Sequence, residues 1–459
     1  MQNIFDEVNS LDKRCRDKFD LTEDIMMENA SISMFDYIQN NFEPKTKILI
    51  VSGVGNNGAD GIALARLLHT LYSVSLYIPF GVKSPMAILQ LQRAKKLNIK
   101  IIHKIKNYDV IVDCLFGSGL ARDLNKEAVS LIEKLNKLQV FKIACDLPSG
   151  INTLGQVTTQ AFYADRTITM GALKKSLFTD YAKEYVGKIQ VSNLGIQREI
   201  YETQSKCYLL EKDDLKLPIR DSKIANKGTY GHLSVIIGEK KGAGLLCAEA
   251  GFSFGCGLIS VISNELQNIP NSMMQNSTIP LNTSALCIGM GLGKEYDEQL
   301  LLNDLPKVID ADLFYDTKIL ALLDKKNVVL TPHPKEFCSL LKMTQIADIS
   351  IEELQNNRFE YLQLFCKKYK NIVLLLKGTN VLIGYKKKIY VNIFGSSVLS
   401  KGGSGDVLAG LIGALLAQGY TPLQAAINGS LSHTLAASNY KKNNYSMSPL
   451  DLIQEIKKL

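Results

Sequence analysis

Apolar residues in the first half of the chain alternate between two patterns. Short runs rich in Val, Ile and Leu, namely KILIVS (47–52), VSLYIP (74–79), IKIIHKI (99–105), DVIVDCLF (109–116) and FKIACDLP (141–148), are separated by longer segments of different period. Several of the runs lack the polar–apolar alternation of a half-exposed strand. They predict strands buried on both faces, and hence a parallel sheet. The intervening ADGIALARLLHTL (59–71) and NKEAVSLIEKLNKL (125–138) carry apolar residues at i, i+3, i+4 and i+7 and predict amphipathic helices. Strand–helix–strand alternation of this kind implies a three-layer, doubly wound α/β domain.

The pattern fades between about 195 and 230, where polar, charged and turn-forming residues dominate, so a boundary is expected close to residue 203. Beyond it HLSVIIG, LISVIS, ALCIGM, KVIDADLF, NVVLTP and NIVLLLKG predict a second series of strands. They alternate with helices such as LLCAEAGFSF and the segment after GGSGD. The chain reads as two three-layer αβα domains in tandem, 1–203 and 204–459, with no short-period repeat and no low-complexity tract.

Composition narrows the class without changing this picture. A chain of 459 residues, 46% hydrophobic and 21% charged, suits a globular protein with more than one core. Its net charge of +8 is spread over scattered lysines, such as Lys386, Lys387 and Lys388, so a nucleic-acid role is not expected. Nine cysteines without a C-x-x-C pair make neither a zinc site nor a disulfide framework, and their apolar surroundings fit a reducing cytoplasm. MQNIFDEVNSLDKR lacks the apolar core of a signal peptide, and the longest apolar stretch, VLAGLIGALLA (407–417), is too short to span a bilayer. A cytoplasmic protein is expected.

Candidate chemistry lies at the strand ends. VSGVGNNGADG (51–61) fits the phosphate-binding G-x-G-x-x-G turn through Gly53, Gly55 and Gly58. The next strand, however, ends as SLYIPFGVK, without the acid that would hold a ribose hydroxyl, so a plain NAD cofactor site loses ground. Asn56, Asn57 and Asp60 can be ordinary turn and cap residues. Two later strand ends shift the balance: Asp113 precedes the Gly-rich FGSGLARD, and Asp146 and Ser149 close FKIACDLPSG. Ligands of open α/β sheets bind at the carboxyl ends of strands, so these loops are expected to converge on one pocket. Oxygen ligands of mixed charge suit a hard cation, and a carboxylate such as Asp146 can move a proton.

GVGNNGADG, DCLFGSGLARD, DLPSGIN and ADRTITMGALK together resemble the YjeF N-terminal domain family, the NAD(P)H-hydrate epimerases, over roughly residues 5–200. The resemblance implies interconversion of the R and S forms of NADHX and NADPHX, nicotinamides hydrated at C6. It implies substrate contacts from Asn56, Asn57, Gly58, Ala59 and Asp60, from Gly117, Ser118, Gly119, Leu120, Ala121, Arg122 and Asp123, and from Asp146. It also implies a potassium ion on Asn57, Asp113 and Ser149. Epimerisation needs proton transfer near C6, for which Asp146 is the candidate. Ala59 departs from the Gly-Gly-Asp usual in the family, and its methyl forbids backbone angles open to glycine.

In the second half, SKGGSGDVLAGLIGALLAQG (400–419) places a Gly-rich turn before an apolar helix, with Asp406 in the first turn. Backbone N–H groups at such a start form an anion hole. Capping by Ser404 or Asp406 is the plain alternative, but a cap does not need the preceding glycines. The segment resembles the G-[TS]-G-D loop of ribokinase-like proteins, whose Asp takes a proton from a substrate hydroxyl. With NKGTYGHLSVIIG, GMGLG (289–293), LTPHPKEF (330–337) and LLKGTNVLI (375–383), it resembles the ADP-dependent NAD(P)H-hydrate dehydratases over about 206–459. The resemblance implies substrate contact from Ala243, Gly291, His333 and Asp406. It implies adenine-nucleotide contact from Lys377, Gly378, Thr379, Asn380, Val381 and Gly405. Asp406 would accept the C6 hydroxyl proton as that oxygen attacks a phosphoryl group of ADP, with Mg²⁺ on the phosphates, and elimination would regenerate NADH or NADPH. On residue type alone His333 is as readily structural, and Lys377 as readily a solvated strand-end lysine. Lys335 stands where the family has Gly in T-P-H-P-G-E, and Ser404 where Thr is commoner.

The expected protein is a bifunctional nicotinamide-repair enzyme, with an N-terminal Rossmann-like and a C-terminal ribokinase-like domain. Its expected partners are the small molecules NADHX, NADPHX and ADP, with no nucleic acid and no membrane, and a homo-oligomer is the expected assembly. Two alternatives stay open: a ribokinase-like or hydroxyethylthiazole-kinase-like small-molecule kinase with an accessory domain, and a nucleotide- or RNA-binding module.

Overall fold

The structure, a computed structural model, describes residues 1–265 and 268–459. The chain divides into two units, Asn3–Ser205, and Met1–Gln2 with Lys206–Leu459. In the first, β1 (Gln2–Phe5), α1 (Asn9–Phe19) and α2 (Glu23–Asn41) precede β2 (Lys47–Ser52), α3 (Asn56–Leu68), β3 (Ser73–Tyr77), α4 (Pro85–Lys96) and β4 (Ile101–Ile102). There follow β5 (Val110–Cys114), α5 (Lys126–Asn136), β6 (Phe141–Cys145), β7 (Arg166–Met170), β8 (Leu173–Lys174), α6 (Lys183–Val186), β9 (Lys188–Ser192) and α7 (Arg198–Tyr201). The sheet runs β4-β3-β2-β5-β6-β7-β9 and is parallel throughout. From β2 the chain winds first to one side and then, from β5, to the other, which leaves a crevice between the carboxyl ends of β2 and β5. β1 pairs with β8 outside this sheet.

The continuous apolar runs follow from burial on both faces. Ile48 and Ile50 of β2 pack with Met34, Ile38, Ile62 and Leu68 from α2 and α3, whereas Leu49 and Val51 pack with Leu131, Ile132 and Leu135 of α5. The strand expected over 99–105 shrinks to Ile101–Ile102, a sheet edge where Lys100, His103 and Lys104 leave little apolar surface to pair. α5 begins at the Asn125 cap, whose side chain accepts the Ala128 amide at 2.8 Å. α3 begins earlier than its periodicity predicts, directly after Gly55.

The second unit holds β10 (Cys207–Leu209), β11 (His232–Ile236), α8 (Lys241–Ser253), β12 (Leu258–Ile262), β13 (Met274–Asn276), β14 (Ala285–Ile288), α9 (Gln299–Leu302), β15 (Lys307–Ile309) and β16 (Val328–Leu330). It continues through α10 (Pro334–Met343), α11 (Ile351–Asn356), α12 (Arg358–Lys368), β17 (Val373–Leu376), β18 (Val381–Tyr385), β19 (Lys388–Asn392), α13 (Ser404–Ala417), α14 (Pro422–Asn439) and α15 (Pro449–Ile456). Its strand order is β13-β12-β11-β14-β15-β16-β17-β18-β19-β10, and the winding reverses between β11 and β14. The sheet is parallel as far as β17; β17, β18 and β19 are antiparallel, and β10 runs parallel to β19. α8, α13, α14 and α15 share one core with Leu233, Val235, Val308, Val329 and Val373. The alternate strand residues Leu286, Ile288, Leu330 and Leu374 are also fully buried, and α12 packs on β17 and β18.

Both units are thus α/β, as the strand pattern predicts. Several strands escaped that pattern: β1, β7, β8, β9 and β13, and with them β10 and the β18–β19 hairpin. β10 lies inside the polar stretch after residue 203, too short to register as an apolar run. The β18–β19 hairpin is split by Lys386, Lys387 and Lys388, which hide two apolar strands. Among the described residues no helix is long and apolar enough to cross a membrane, and all nine cysteines are free thiols.

Candidate active sites

A cavity of about 620 Å³ opens in the first unit at the carboxyl ends of β2 and β5. Asn56, Asn57 and Asp60 from α3 line it, as do Gly117, Ser118, Gly119, Leu120, Ala121 and Arg122 from the loop after β5, Asp146 after β6, and Asp12 from α1. Of the other expected contacts, Gly58 and Ala59 are buried within α3 and Asp123 is exposed; none of the three lines the cavity. α3 starts at the strand end because Gly55 is its N-cap, and no side chain caps it. Its first turn therefore meets the cavity with uncapped amides, the arrangement that receives phosphate. Ala59 is helical, its amide bonded to the Gly55 carbonyl at 3.1 Å, and its methyl is buried with Met27 and Ala87. The departure from glycine therefore carries no backbone strain.

Asp146 is held from several sides. Its Oδ1 accepts from Lys174 Nζ at 2.6 Å, the Met170 amide at 3.2 Å and Thr169 Oγ1 at 3.4 Å, while Oδ2 accepts from the Ser118 amide at 2.9 Å. Lys174 is 1% exposed and donates also to Thr169 Oγ1 (2.7 Å) and the Met170 carbonyl (3.1 Å). Burial opposes the charge on Asp146, but the Lys174 ammonium and these donors outweigh it and hold the carboxyl below its ordinary range. Close approach is built in at Gly117, where a Cβ would lie 2.9 Å from Asn57 Oδ1 and 3.1 Å from Asp146 Oδ2. Asp12 accepts the Tyr201 hydroxyl at 2.7 Å, and burial raises its pKa.

Asp113 and Ser149 are fully buried and bond each other. Ser149 donates its hydroxyl to Asp113 Oδ1 (2.7 Å) and its amide to Oδ2 (2.8 Å), and the Phe116 carbonyl stands 3.3 Å from Ser149 Oγ. Burial pushes Asp113 up to about 6 against these hydrogen bonds. At the start of α3, Asn57 Nδ2 is buried without a partner among the described residues. Carboxylate, hydroxyl, carbonyl and amide oxygens are the donors a hard cation takes, so this set fits potassium, which would also favour ionised Asp113.

The second site gathers at the ends of β11, β14, β15, β16 and β17. The cap of α13 is Gly403, at φ 92, and no side chain caps the helix. Only a residue without Cβ takes that left-handed angle freely, and the turn leaves the first amides of α13 open to an anion. Ser404 instead meets His433 of α14, whose Nε2 is 2.9 Å from the Ser404 carbonyl and 3.3 Å from its hydroxyl. Burial drives His433 down to about 4, so the neutral ring donates to that carbonyl and pins the turn. Lys377 Nζ reaches Asp310 Oδ1 at 2.8 Å and Glu336 Oε2 at 3.8 Å. Burial, reinforced by Asp310 and opposed by Lys377, pushes Asp406 up to about 6. Burial likewise lifts Glu336 to about 7.

His333 caps α10: its Nδ1 accepts the Glu336 amide at 3.2 Å, while Glu336 Oε2 accepts the His333 amide at 2.7 Å. Its ring is about half exposed, and burial and Lys377 lower its pKa, so it is neutral. Lys335 sits in the first turn of α10, exposed and helical, where glycine is not required. Gly378, Thr379 and Asn380 form the turn from β17 to Val381 of β18. Buried Arg358 pins it by donating to the carbonyls of Leu376 (3.3 Å), Lys377 (3.1 Å) and Asn380 (3.0 Å). Ala243 and Gly291 are brought together through Lys240, whose amide bonds the Gly291 carbonyl at 2.9 Å and whose carbonyl takes the Ala243 amide at 3.1 Å. Sequence reasoning missed Asp12, Lys174, Asp310, Glu336, Arg358 and His433. Lys174 and Glu336 lie inside the motifs quoted above, where their residue types alone gave a signal.

Two strand-end sites, each with an uncapped helix start, a carboxylate and a lysine paired to an acid, define a two-unit α/β enzyme of nucleotide chemistry. Residues 23–176 match the family described as YjeF-related protein N-terminus, and residues 233–458 the family described as NAD(P)H-hydrate dehydratase. A Helicobacter pylori protein named bifunctional NAD(P)H-hydrate repair enzyme Nnr is 45% identical, over 100% of both chains. A Coxiella burnetii protein of the same name is 33% identical over 91% of this chain and 90% of its own. The solved ADP/ATP-dependent NAD(P)H-hydrate dehydratase of Bacillus subtilis, co-crystallised with ATP/Mg²⁺, is 25% identical with a TM-score of 0.46, covering 55% of this chain and 96% of that one. The chain belongs to the bifunctional NAD(P)H-hydrate repair enzyme family.

Proposed function

We propose that this enzyme repairs hydrated nicotinamide nucleotides in two steps. It interconverts the R and S epimers of NADHX and NADPHX, then dehydrates the S epimer to NADH or NADPH at the expense of ADP. The observation that carries this reading is that one chain presents both strand-end sites and is similar, end to end, to a relative named for the combined activity. We assign epimerisation to residues 1–203 and dehydration to 204–459.

In the first step the uncapped start of α3 receives substrate phosphate, with contacts from Asn56, Asn57, Asp60, residues 117–122 and Asp146. Asp146, ionised by Lys174, is the catalytic carboxylate. Asn57, Asp113 and Ser149 would hold potassium, which supplies fixed positive charge beside the anionic substrate. In the second step Asp406 takes the proton of the C6 hydroxyl as that oxygen attacks the β-phosphoryl group of ADP. The first amides of α13, with Gly405, and the Lys377 ammonium stabilise the charge on the group in transfer. Residues 377–381 hold the nucleotide, and Ala243, Gly291 and His333 hold the hydrated ring. Phosphate then leaves C6 as C5 loses a proton, which gives the reduced nicotinamide and AMP. Mg²⁺ on the nucleotide phosphates would supply charge neutralisation, and the Asp310 carboxylate is an oxygen donor of the kind it accepts. The reading places the work in the cytoplasm, in a homo-oligomer acting on small molecules rather than nucleic acid.

The test is to give the enzyme mixed NADHX epimers with Mg²⁺ and either ADP or ATP and to follow NADH absorbance. Conversion of the whole mixture, faster than spontaneous epimerisation permits, is the expected result. A halt at the share of the S epimer contradicts the first activity, and no NADH at all contradicts the second.

A further inference from the structure

Asp12, Asp60 and Asp146 all face the cavity of the first unit, yet their surroundings differ. Asp146 is bound by a lysine and three further donors, and Asp12 by the Tyr201 hydroxyl. Asp60 is 9% exposed, lies in the cavity wall, and its carboxyl has no hydrogen-bond partner among the described residues. Its backbone is fixed, since it lies in α3 and its carbonyl accepts Ser31 Oγ at 3.0 Å. A rigidly mounted, nearly buried carboxyl in the cavity wall, without a hydrogen-bond partner among the described residues, is placed to act on what the cavity holds.

We propose that Asp60 is the proton donor of epimerisation, working against the fixed carboxylate of Asp146; this rests on the epimerase reading above. C6 of the hydrated ring carries a hydroxyl and is bonded to the ring nitrogen. Asp60 gives its proton to the hydroxyl oxygen, and the C6–O bond breaks with its electron pair going to oxygen. Water is released, and the nitrogen lone pair closes a C6=N iminium. The carboxylates of Asp146 and Asp60 then flank the cation. Water adds to the other face of C6 and loses its proton to Asp146, and that proton returns to Asp60 through solvent in the cavity. Nothing is oxidised or reduced, and the product differs only in configuration.

The charges around Asp60 agree with its holding a proton. Burial raises its pKa well above the carboxylate range, and Asp146, Asp12 of α1 and Glu23 of α2 raise it further. Lys174 is committed to Asp146, and Arg122 on the cavity wall is exposed. Activity therefore requires protonated Asp60 and ionised Asp146, and it falls as pH rises through the pKa of Asp60.

The experiment follows interconversion of purified S-NADHX by the full chain without nucleotide, against buffer alone. Asp60→Asn should slow catalysed epimerisation by about 100-fold or more, the usual range for a general acid, with half-saturation little changed. Dehydration of S-NADHX with ADP stays within twofold of wild type, which reports an intact chain. Asp60→Ser gives the same loss if the amide variant is insoluble. The alkaline limb of the wild-type pH profile disappears from the residual activity of Asp60→Asn, and wild-type turnover in H₂¹⁸O places label at C6. An Asp60→Asn rate within threefold of wild type overturns the proposal, as does complete retention of the original oxygen. If the wild-type chain does not outpace buffer, the epimerase reading itself fails and this inference falls with it.

Discussion

Replacing Lys174 by Met removes one partner of a buried ion pair while keeping most of the side-chain volume. Three hydrogen bonds go, to Asp146 (2.6 Å), Thr169 (2.7 Å) and the Met170 carbonyl (3.1 Å), and Asp146 is left buried with its charge uncompensated. Losing one member of such a pair costs about 3–5 kcal/mol, which for a unit of this size is a drop in Tm of about 6–20 °C. The cost is capped by protonation. In wild type the folded pKa of Asp146 lies below its unfolded value, so its stabilisation is present at neutral pH and lost as pH falls through the lowered value. In Lys174→Met burial, the largest influence on this carboxyl, is opposed only by the remaining hydrogen bonds such as that from the Ser118 amide, and the folded pKa rises above the unfolded one. The penalty then shrinks as pH falls through the raised value, by up to about 1.4 kcal/mol per pH unit. The chain has no tryptophan, so calorimetry at pH 5 and pH 8 is the assay, with hydrogen exchange of peptides from 141–174 assigning the transition. Adding Asp146→Asn should recover much of the loss. A Tm shift below about 2 °C, or one equal at both pH values, refutes the reasoning.

Asp406→Asn should abolish dehydration and leave epimerisation within twofold of wild type. Because the base must be ionised, wild-type dehydration should rise about tenfold per pH unit below about 6 and level off above it, a limb that initial rates at saturating ADP will show. Gly117→Ala puts a methyl within 2.9 Å of Asn57 Oδ1 and 3.1 Å of Asp146 Oδ2. It should cost about 1–3 kcal/mol and most epimerase activity, read by urea unfolding and by chromatography of the epimers. Ala59→Gly, although it restores the family's usual residue, should lower stability by about 1 kcal/mol without raising the epimerisation rate.

The central strands and the loops after them were legible because parallel strands buried on both faces leave continuous apolar runs, and the chain turns back where those runs stop. Asn56, Asn57, Asp60, Asp113, Asp146 and Ser149 stood out as polar residues directly at such stops. What stayed hidden depends on distance in sequence. Lys174 offered only its residue type as a signal until β8 sets its ammonium beside Asp146, 28 residues earlier. His433 is one of several polar residues of α14, and only the packing of α14 on α13 aims it at Ser404. Asp12 precedes the first strand of the parallel sheet, so no strand-end argument could reach it. The β18–β19 hairpin was masked by its own lysines, and β10, too short to register alone, pairs along β19.

Asp146 has φ 68, in the left-handed region. Apart from glycine, Asn and Asp are the residues that enter this region most readily, so backbone geometry narrows the position before chemistry is considered. A substitution to Ala or Leu penalises the turn as well as the ion pair, whereas Asn keeps the turn and loses only the charge that faces Lys174. From an aspartate codon, Asn is also one base transition away. The mutational path that folding tolerates best at this position is therefore the one that silences it. Under the reading proposed here, a lineage that no longer needs the first activity can drop it in a single step that spares the turn, while the second unit still dehydrates.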